Sequence, residues 1–554
     1  MSTDFDVAIL GGGLAGLTAA LQLQQERPRT RIVVVEKQTL PHPETAFKVG
    51  ESIAEVAAYY LKEVLGFDEY LREHHLAKMG LRFFCSSNGN DDITRRVEYG
   101  LIRKSPLANY HLDRGRLENM LSGVVAERGM ELLDGAPVSH VELASDRHTI
   151  TVGRGGAARS FTARWLIDAT GRAGVLRRKL GLGTGAPIDV NACWFRAPNR
   201  LHIDAFSDNP AWREQCPVGR RWTSTNSFVG EGYWVWVINL ASGAVSVGVV
   251  ADPKYHPFER IRRYPAVLEW LREHEPLIAA GLPESEDELL DFRKVKQYSY
   301  GCKRVYSTER WCLTGEAALF LDPLYSTGND FTAIGNTLLT DVIRRELDGE
   351  PEAEVVGRLR DFNRSFVRLF AAMMPAFPGQ LAVFRDPQAT GTKVIWDNAG
   401  YFMIPLNLFA KGAITDMPFV RSLSDWLGVT YPINSFMQQC FNEWASPDWD
   451  ARSAGVPVAS DLLLENLFRS PLTDMNREEL AEHIRMSIRR LHTLSRDMVT
   501  RMSQAAGRPV PEPPYPVPPG GGVDEELLYW ADYDRRTGPP ELRDPQPADG
   551  WMIR

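Results

Sequence analysis

The chain has 554 residues and a formal net charge of −8, with 44% hydrophobic and 24% charged residues. These are the fractions of a folded globular protein long enough for more than one domain, and the acidic balance argues against a nucleic-acid partner. Six cysteines (Cys85, Cys193, Cys216, Cys302, Cys312, Cys440) show no CxxC or metal spacing, which predicts reduced thiols, no metal site and a cytoplasmic protein.

Regular structure is expected almost at once. Phe5–Leu10 is an apolar run suited to a buried parallel strand. It meets Gly11-Gly12-Gly13-Leu14-Ala15-Gly16, helical period follows over 17–24, and 31–35 is a β-branched strand closed by Glu36. Strand, glycine turn, helix, strand and acidic residue form a dinucleotide-binding unit. Gly11 permits the tight turn, Gly13 lets the backbone approach a pyrophosphate, and Gly16 lets the helix pack close to the strand. The helix start favours phosphate, and Glu36 can accept from ribose hydroxyls. The early strand leaves no room for a signal peptide. No apolar run is read as approaching the roughly 20 residues of a membrane span.

Further along, Lys48-Val49-Gly50-Glu51-Ser52 leads into Ile53, Val56, Ala57, Tyr60, Leu61 and Leu65 at helical spacing, with Ser52 or Glu51 at the N-cap position. Residues 78–84 open a strand, and Asp113-Arg114 precedes a helix through 118–128. Strands at 148–152 and 160–163 flank the glycine turn 153–156, read as a hairpin because no helix follows. Residues 165–168 form a strand ending in Asp168-Ala169-Thr170-Gly171. Strand patterns fill 192–250 and continue through 289–296 and 302–306, as expected of a sheet roofing a pocket. The strand 311–314 runs into Gly315-Glu316, and a helix follows over 327–343.

From 351 onward the pattern is mostly helical, without a second phosphate loop. Leu480, Ile484, Ile488, Leu491, Met498 and Met502 make an amphipathic helix, with Arg485, Arg489, Arg490, Arg496 and Arg501 read as a solvated face. Residues 508–522 are rich in Pro and Gly and predict a linker or tail. The chain therefore divides into a core at 1–345 with an inserted sheet at about 192–306, a helical region at 346–506 and a tail at 507–554.

Three strand ends each carry a glycine and a polar group where open sheets bind ligands: 11–16, 168–171 and 315–316. Together they resemble the FAD-binding fold of aromatic hydroxylases and flavin-dependent halogenases. That resemblance implies an α/β, Rossmann-like domain with an inserted sheet and a helical C-terminal region. It implies FAD contacts from Gly11, Gly13, Gly16, Glu36, Ser52, Arg114, Asp168, Gly171, Gly315 and Glu316, the last standing where those families carry Asp.

Two features are closer to the halogenases. Tyr233-Trp234-Val235-Trp236-Val237-Ile238-Asn239 resembles the signature Trp-x-Trp-x-Ile-Pro, with Asn239 in place of Pro. Alternation puts Trp234, Trp236 and Ile238 on one strand face, although a tryptophan-rich core strand would look the same. Lys78, ahead of Gly80 and Phe83, is similar in spacing to the catalytic lysine of halogenases, whereas a lysine after a helix is ordinarily a surface residue. Asp322-Pro323-Leu324-Tyr325-Ser326-Thr327-Gly328 is similar to the halogenase segment that passes the flavin edge. This implies a catalytic place for Ser326 and a halide held by the amides of Thr327 and Gly328. Tyr325 stands where tryptophan halogenases carry glutamate, which points to phenolic, pyrrolic or carrier-bound substrates.

The resemblance implies reduced FAD from a separate flavin reductase, oxygen, and chloride or bromide converted to hypohalous acid. Lys78 would pass the acid to an aromatic substrate lying against Trp234, Trp236 and Tyr325. Two alternatives stay open: an FAD-dependent aromatic monooxygenase, which Asn239 favours, and a catalytically silent flavoprotein in a biosynthetic complex.

Overall fold

The computed structural model describes residues 4–45, 48–101, 107–153, 158–185, 188–216, 219–445, 470–505, 507–518 and 551–552. Most of the glycine turn 153–156 and the end of the Pro/Gly-rich stretch therefore lie outside the described residues. The chain forms two compact units, one of residues 1–75, 112–187 and 298–370, the other of 76–111, 188–297 and 371–554.

In the first unit a sheet runs in the order Tyr306–Ser307, Trp311–Leu313, Arg159–Asp168, Phe5–Leu10, Ile32–Val35, Glu131–Leu133. Its four central strands are parallel, and Leu10 pairs with both Val35 and Asp168, which in turn pairs with Leu313. One register thus brings the three glycine-bearing strand ends to the same edge. Residues of Phe5–Leu10 and Ile32–Val35 are buried on both faces, as the apolar runs require. The helix Leu14–Glu26 packs along Thr327–Leu347. Asn336 pins that contact, donating to Ala15 O at 3.0 Å and Thr18 Oγ1 at 2.9 Å while accepting from Thr314 Oγ1 at 2.6 Å.

The second unit carries an eight-stranded sheet in the order Asp291–Lys296, Asn191–Ala197, Val245–Ala251, Tyr233–Asn239, Thr225–Gly230, Leu81–Cys85, Glu98–Leu101, Trp551–Met552. One face packs on Tyr264–His274 and Pro276–Ala279 through Val235, Val247, Phe195, Val267, Trp270 and Ile278. Helices Pro387–Met403, Thr430–Trp444 and Arg477–Ala505 pack on one another in the same unit. The α/β class with an inserted sheet and a helical C-terminal region is as expected.

Several local expectations are corrected. The helix after Ser52 begins at Glu55 with Ala54 as an uncapped N-cap, so neither Ser52 nor Glu51 caps it. Residues 160–163 and 165–168 belong to one strand, Arg159–Asp168, whose first half pairs with the hairpin strand and whose second half enters the parallel sheet. Residues 302–306 do not continue the inserted sheet. Tyr300–Cys302 pairs with Gly183–Gly185, and Tyr306–Ser307 forms the edge of the parallel sheet. The inserted sheet instead takes Leu81–Cys85 as a parallel neighbour of Thr225–Gly230. The stretch Glu352–Val383 is long and apolar enough for a membrane span by length and composition, with mean hydropathy 1.3. Its buried stripe of Val355, Leu359, Phe362, Phe366 and Phe370 is also what a core helix needs. Of the five arginines at 485–501, only Arg496 is exposed and the others are half-buried, and Arg489 stacks 5.2 Å from the Trp426 ring centroid.

Candidate active site

The glycine turn divides into two kinds of position. A Cβ at Gly11, where φ is +111°, would lie 2.3 Å from Ala169 O, and one at Gly16 would lie 1.9 Å from Gly11 O. Those two glycines are demanded by the protein's own packing. At Gly13 the nearest atom to a Cβ is Lys48 Nζ at 3.6 Å. Folding leaves that space open, directly at the start of Leu14–Glu26, whose N-cap Gly13 has no side-chain cap. It is where a pyrophosphate would rest on the helix amides. Glu36 is buried behind the turn, accepting from Gly12 N at 2.8 Å and Gln38 N at 2.9 Å.

A charged cluster adjoins the cradle. Arg114, the first residue of the helix Arg114–Glu127, donates through Nη2 to Glu118 Oε1 at 2.7 Å and through Nη1 to Val49 O. Its Nε is buried without a hydrogen-bond partner among the described residues, a donor in hand for a ligand. Glu118 also pairs with Lys48. Burial would raise the Glu118 carboxyl, but Arg114 and Lys48 outweigh it and hold it below the usual range. Gly50 (φ +93°) must lack a side chain because a Cβ there would lie 2.8 Å from Arg114 Nη1.

The other two strand ends differ from each other. Asp168 uses both carboxylate oxygens on its own turn, accepting from Thr170 N (3.0 Å), Thr170 Oγ1 (2.6 Å) and Leu176 N (2.6 Å). It shapes the loop in which Gly171 takes φ +60°. Glu316, in the short turn Gly315–Ala317, accepts no hydrogen bond at its carboxylate among the described residues. Burial pushes that carboxyl above its ordinary value, against the pull of Arg172, Arg114 and Arg177. The Arg177 guanidinium stacks 3.9 Å from the Tyr300 ring centroid.

Thr327 and Gly328 open a 21-residue helix, Thr327–Leu347, whose N-cap Ser326 sits in the left-handed region at φ 60°, ψ 23°. No side chain caps these first amides, so a left-handed turn followed by a helix start makes a nest of N–H donors. Ser326 Oγ lies 3.2 Å from Ser52 Oγ, Asn329 donates to Gly50 O at 3.2 Å, and half-buried Tyr325 precedes the turn.

Lys78, Trp234 and Trp236 belong to the second unit. Lys78 ends the strand Leu76–Lys78, opposite Asn109 in the ladder with Asn109–His111, and is only 5% exposed. In the same ladder His111 bridges Asn239 O (Nδ1, 3.0 Å) and Thr225 Oγ1 (Nε2, 2.9 Å). A carbonyl only accepts, so the proton sits on Nδ1. Burial, aided by the Lys78 charge, lowers the His111 pKa to about 3, and the ring is neutral. Asn239 accepts from Leu201 N at 2.9 Å and donates to Leu201 O and Trp222 O, both at 2.8 Å.

Trp194, Gly248, Trp236 and Ser227 form one rung across four strands and therefore share a sheet face. Gly248 makes room for the Trp236 ring, whose Cζ2 would lie 2.1 Å from a Cβ there. Trp236 Nε1 donates to Ser246 Oγ at 3.1 Å, and the Trp234 and Trp236 rings lie 5.5 Å apart. The buried donors Trp234 Nε1, Trp194 Nε1 and Ser227 Oγ have no hydrogen-bond partner among the described residues.

Comparison with known proteins points to flavoproteins. The FAD binding domain family matches residues 4–212. The chain is 26% identical to the flavin-dependent halogenase chlA of Dictyostelium discoideum, over 62% of this chain and 60% of that protein's length. It is 25% identical to the 1H-pyrrole-2-carbonyl-(peptidyl-carrier protein) chlorinase of Pseudomonas fluorescens, over 59% of this chain and 72% of that one. Over these stretches the chain is similar to flavin-dependent halogenases. Its fold is similar to the crystal structure of halogenase PltM, with a TM-score of 0.61 and 16% identity, covering 88% of this chain and 96% of the other.

Four residues escape sequence reading. Glu118 and Lys48 meet across 70 positions, and only the i,i+4 spacing of Arg114 and Glu118 hints at their cluster. Trp194 shows no signal, because its neighbourhood depends on the register around Gly248. His111 becomes visible only through Asn239, the residue that departs from the family signature.

Proposed function

We propose that the protein halogenates an electron-rich aromatic, phenolic or pyrrolic, free or tethered to a carrier protein. The observation that carries this reading is the burial of Lys78, 5% exposed beside a neutral imidazole, where an ordinary surface lysine would be solvated. Bound FAD, reduced by a separate flavin reductase, supplies the oxygen activation that oxidises chloride or bromide to hypohalous acid. Gly13 and the start of Leu14–Glu26 hold its pyrophosphate, with Arg114 alongside. The amides of Thr327 and Gly328 hold the halide, and Ser326 positions them through its left-handed turn. Lys78 Nζ hydrogen-bonds hypohalous acid or, as the neutral amine, exchanges an N–H for an N–halogen bond with loss of water, and the halogen then passes to the ring carbon, whose proton is released. Trp234 and Trp236 wall the substrate face, and Trp234 Nε1 and Ser227 Oγ remain available to a substrate oxygen or nitrogen.

The pyrrole-carrier chlorinase and a 1H-pyrrole-2-carbonyl-(peptidyl-carrier protein) brominase of Pseudoalteromonas luteoviolacea, the latter 22% identical over 67% of this chain and 85% of the brominase, support the substrate class.

Tyr325 offers no carboxylate where tryptophan halogenases carry one, so free tryptophan should be a poor substrate. Its product is expected to be at least about tenfold below that from phenolic or pyrrolic compounds, a difference of roughly 1.4 kcal/mol. The test is mass spectrometry of an aromatic pool incubated with the enzyme, a flavin reductase, oxygen, and chloride or bromide. Halogenated phenol or pyrrole is the expected result. Hydroxylated product alone would turn the reading to a monooxygenase, and efficient halogenation of free tryptophan would refute the substrate class.

A further inference from the structure

The helix Glu352–Met373 places Arg360, Arg364 and Arg368 four residues apart on one exposed face. With Arg304 they line a groove of about 590 Å³ whose walls include Tyr306 and Val367 and no carboxylate. Like charges at i,i+4 destabilise a helix, and the chain as a whole carries a net charge of −8. Nearby arginines are neutralised: Arg345 pairs with Asp341, and Arg358 with Glu350. Among the described residues Arg304, Arg360 and Arg368 have no ion pair, and Arg364 reaches only Asp361, at 3.9 Å. The groove is also held in shape, because Asn363 Oδ1 accepts from Val305 N at 2.8 Å and Tyr306 N at 3.3 Å, tying the helix to the neighbouring strand.

We propose that this groove docks an acidic helix of the carrier domain that brings the substrate. The inference rests on the carrier-bound reading of the proposed function. Three cationic side chains repeating once per helical turn match carboxylates at the same spacing on a partner helix, with half-buried Val367 among them as an apolar contact. Charges at such a rim act mainly on the rate and specificity of encounter.

The test uses FAD-loaded full-length protein and, as probe, a peptidyl carrier domain bearing pyrrole-2-carbonyl on its phosphopantetheine thiol. Binding is measured by surface plasmon resonance at several salt concentrations, for wild type and for the triple variant Arg360→Glu, Arg364→Glu, Arg368→Glu. All three side chains are exposed, and circular dichroism and FAD content check that the variant is folded. The expected result is salt-sensitive binding by wild type, weakened about 10- to 100-fold in the variant. Equal binding by the two proteins, or no binding of the carrier by wild type, would overturn the proposal. Binding of inorganic phosphate but not of the carrier would overturn it too, leaving a small-anion site. Halogenation of the same acyl group on free pantetheine is assayed separately, so failure of the chemistry is told apart from failure of docking.

Discussion

Lys78→Ala should cut halogenated product by roughly 10²–10⁴-fold while FAD binding and oxidation of reduced flavin continue. The proposed role places Lys78 after oxygen activation, since its Nζ acts on hypohalous acid and not on the cofactor. The residue is buried at the end of a short ladder, so truncation removes the amine from a protected place where bulk water cannot substitute for it. Lys78→Arg should fail as well, because guanidinium is a poor nucleophile and stays charged. Halogenated product, hydroxylated product and peroxide release are measured together in wild type and both variants. Halogenation by Lys78→Ala at the wild-type rate would remove this lysine from the mechanism.

Gly13→Val should give a folded, colourless protein whose FAD affinity is lower by on the order of 100-fold or more. The contrast with its neighbours makes the prediction specific. Added side chains at Gly11 or Gly16 would strike backbone oxygens at 2.3 and 1.9 Å, so those variants should fail to fold. At Gly13 φ is −87° and only the flexible Lys48 end is near, so valine fits the polypeptide and fills the cradle. Absorbance of the purified variants, with circular dichroism to establish folding, reads both effects. Stoichiometric FAD in folded Gly13→Val would refute the cradle.

The glycine turn, the three strand ends and the tryptophan strand were legible because their signals are local: apolar runs, glycine spacing and period-two alternation. Partner choice was not. Residues 302–306 look like one more strand of the inserted sheet, but alternation cannot tell which sheet a strand joins, and they divide between two others. Ser52 sits where a cap belongs by composition, yet the chain delays the helix to Glu55 and leaves Ser52 beside Ser326. Asn239 reads as a flaw in a family signature. In the fold its side chain holds Leu201 and Trp222 while its carbonyl fixes the tautomer of His111.

The neutral His111 also sets an acid limit on the protein. Its pKa is about 3 in the fold, against roughly 6.5 for an unfolded chain, so the unfolded chain takes up the proton first. The stability tied to the neutral ring is complete above pH 6.5 and is lost progressively as the pH falls toward 3. Linkage gives a loss of about 2 kcal/mol at pH 5 from this ring alone. His75, lowered to about 3, and His483, lowered to about 4, act in the same direction. Melting temperature should therefore fall between pH 7 and pH 5, before most carboxylates titrate, and His111→Gln should flatten that slope. A melting temperature constant over this range would contradict it. Proton uptake by buried imidazoles, rather than loss of ion pairs, would then mark the lowest pH at which this protein can be handled.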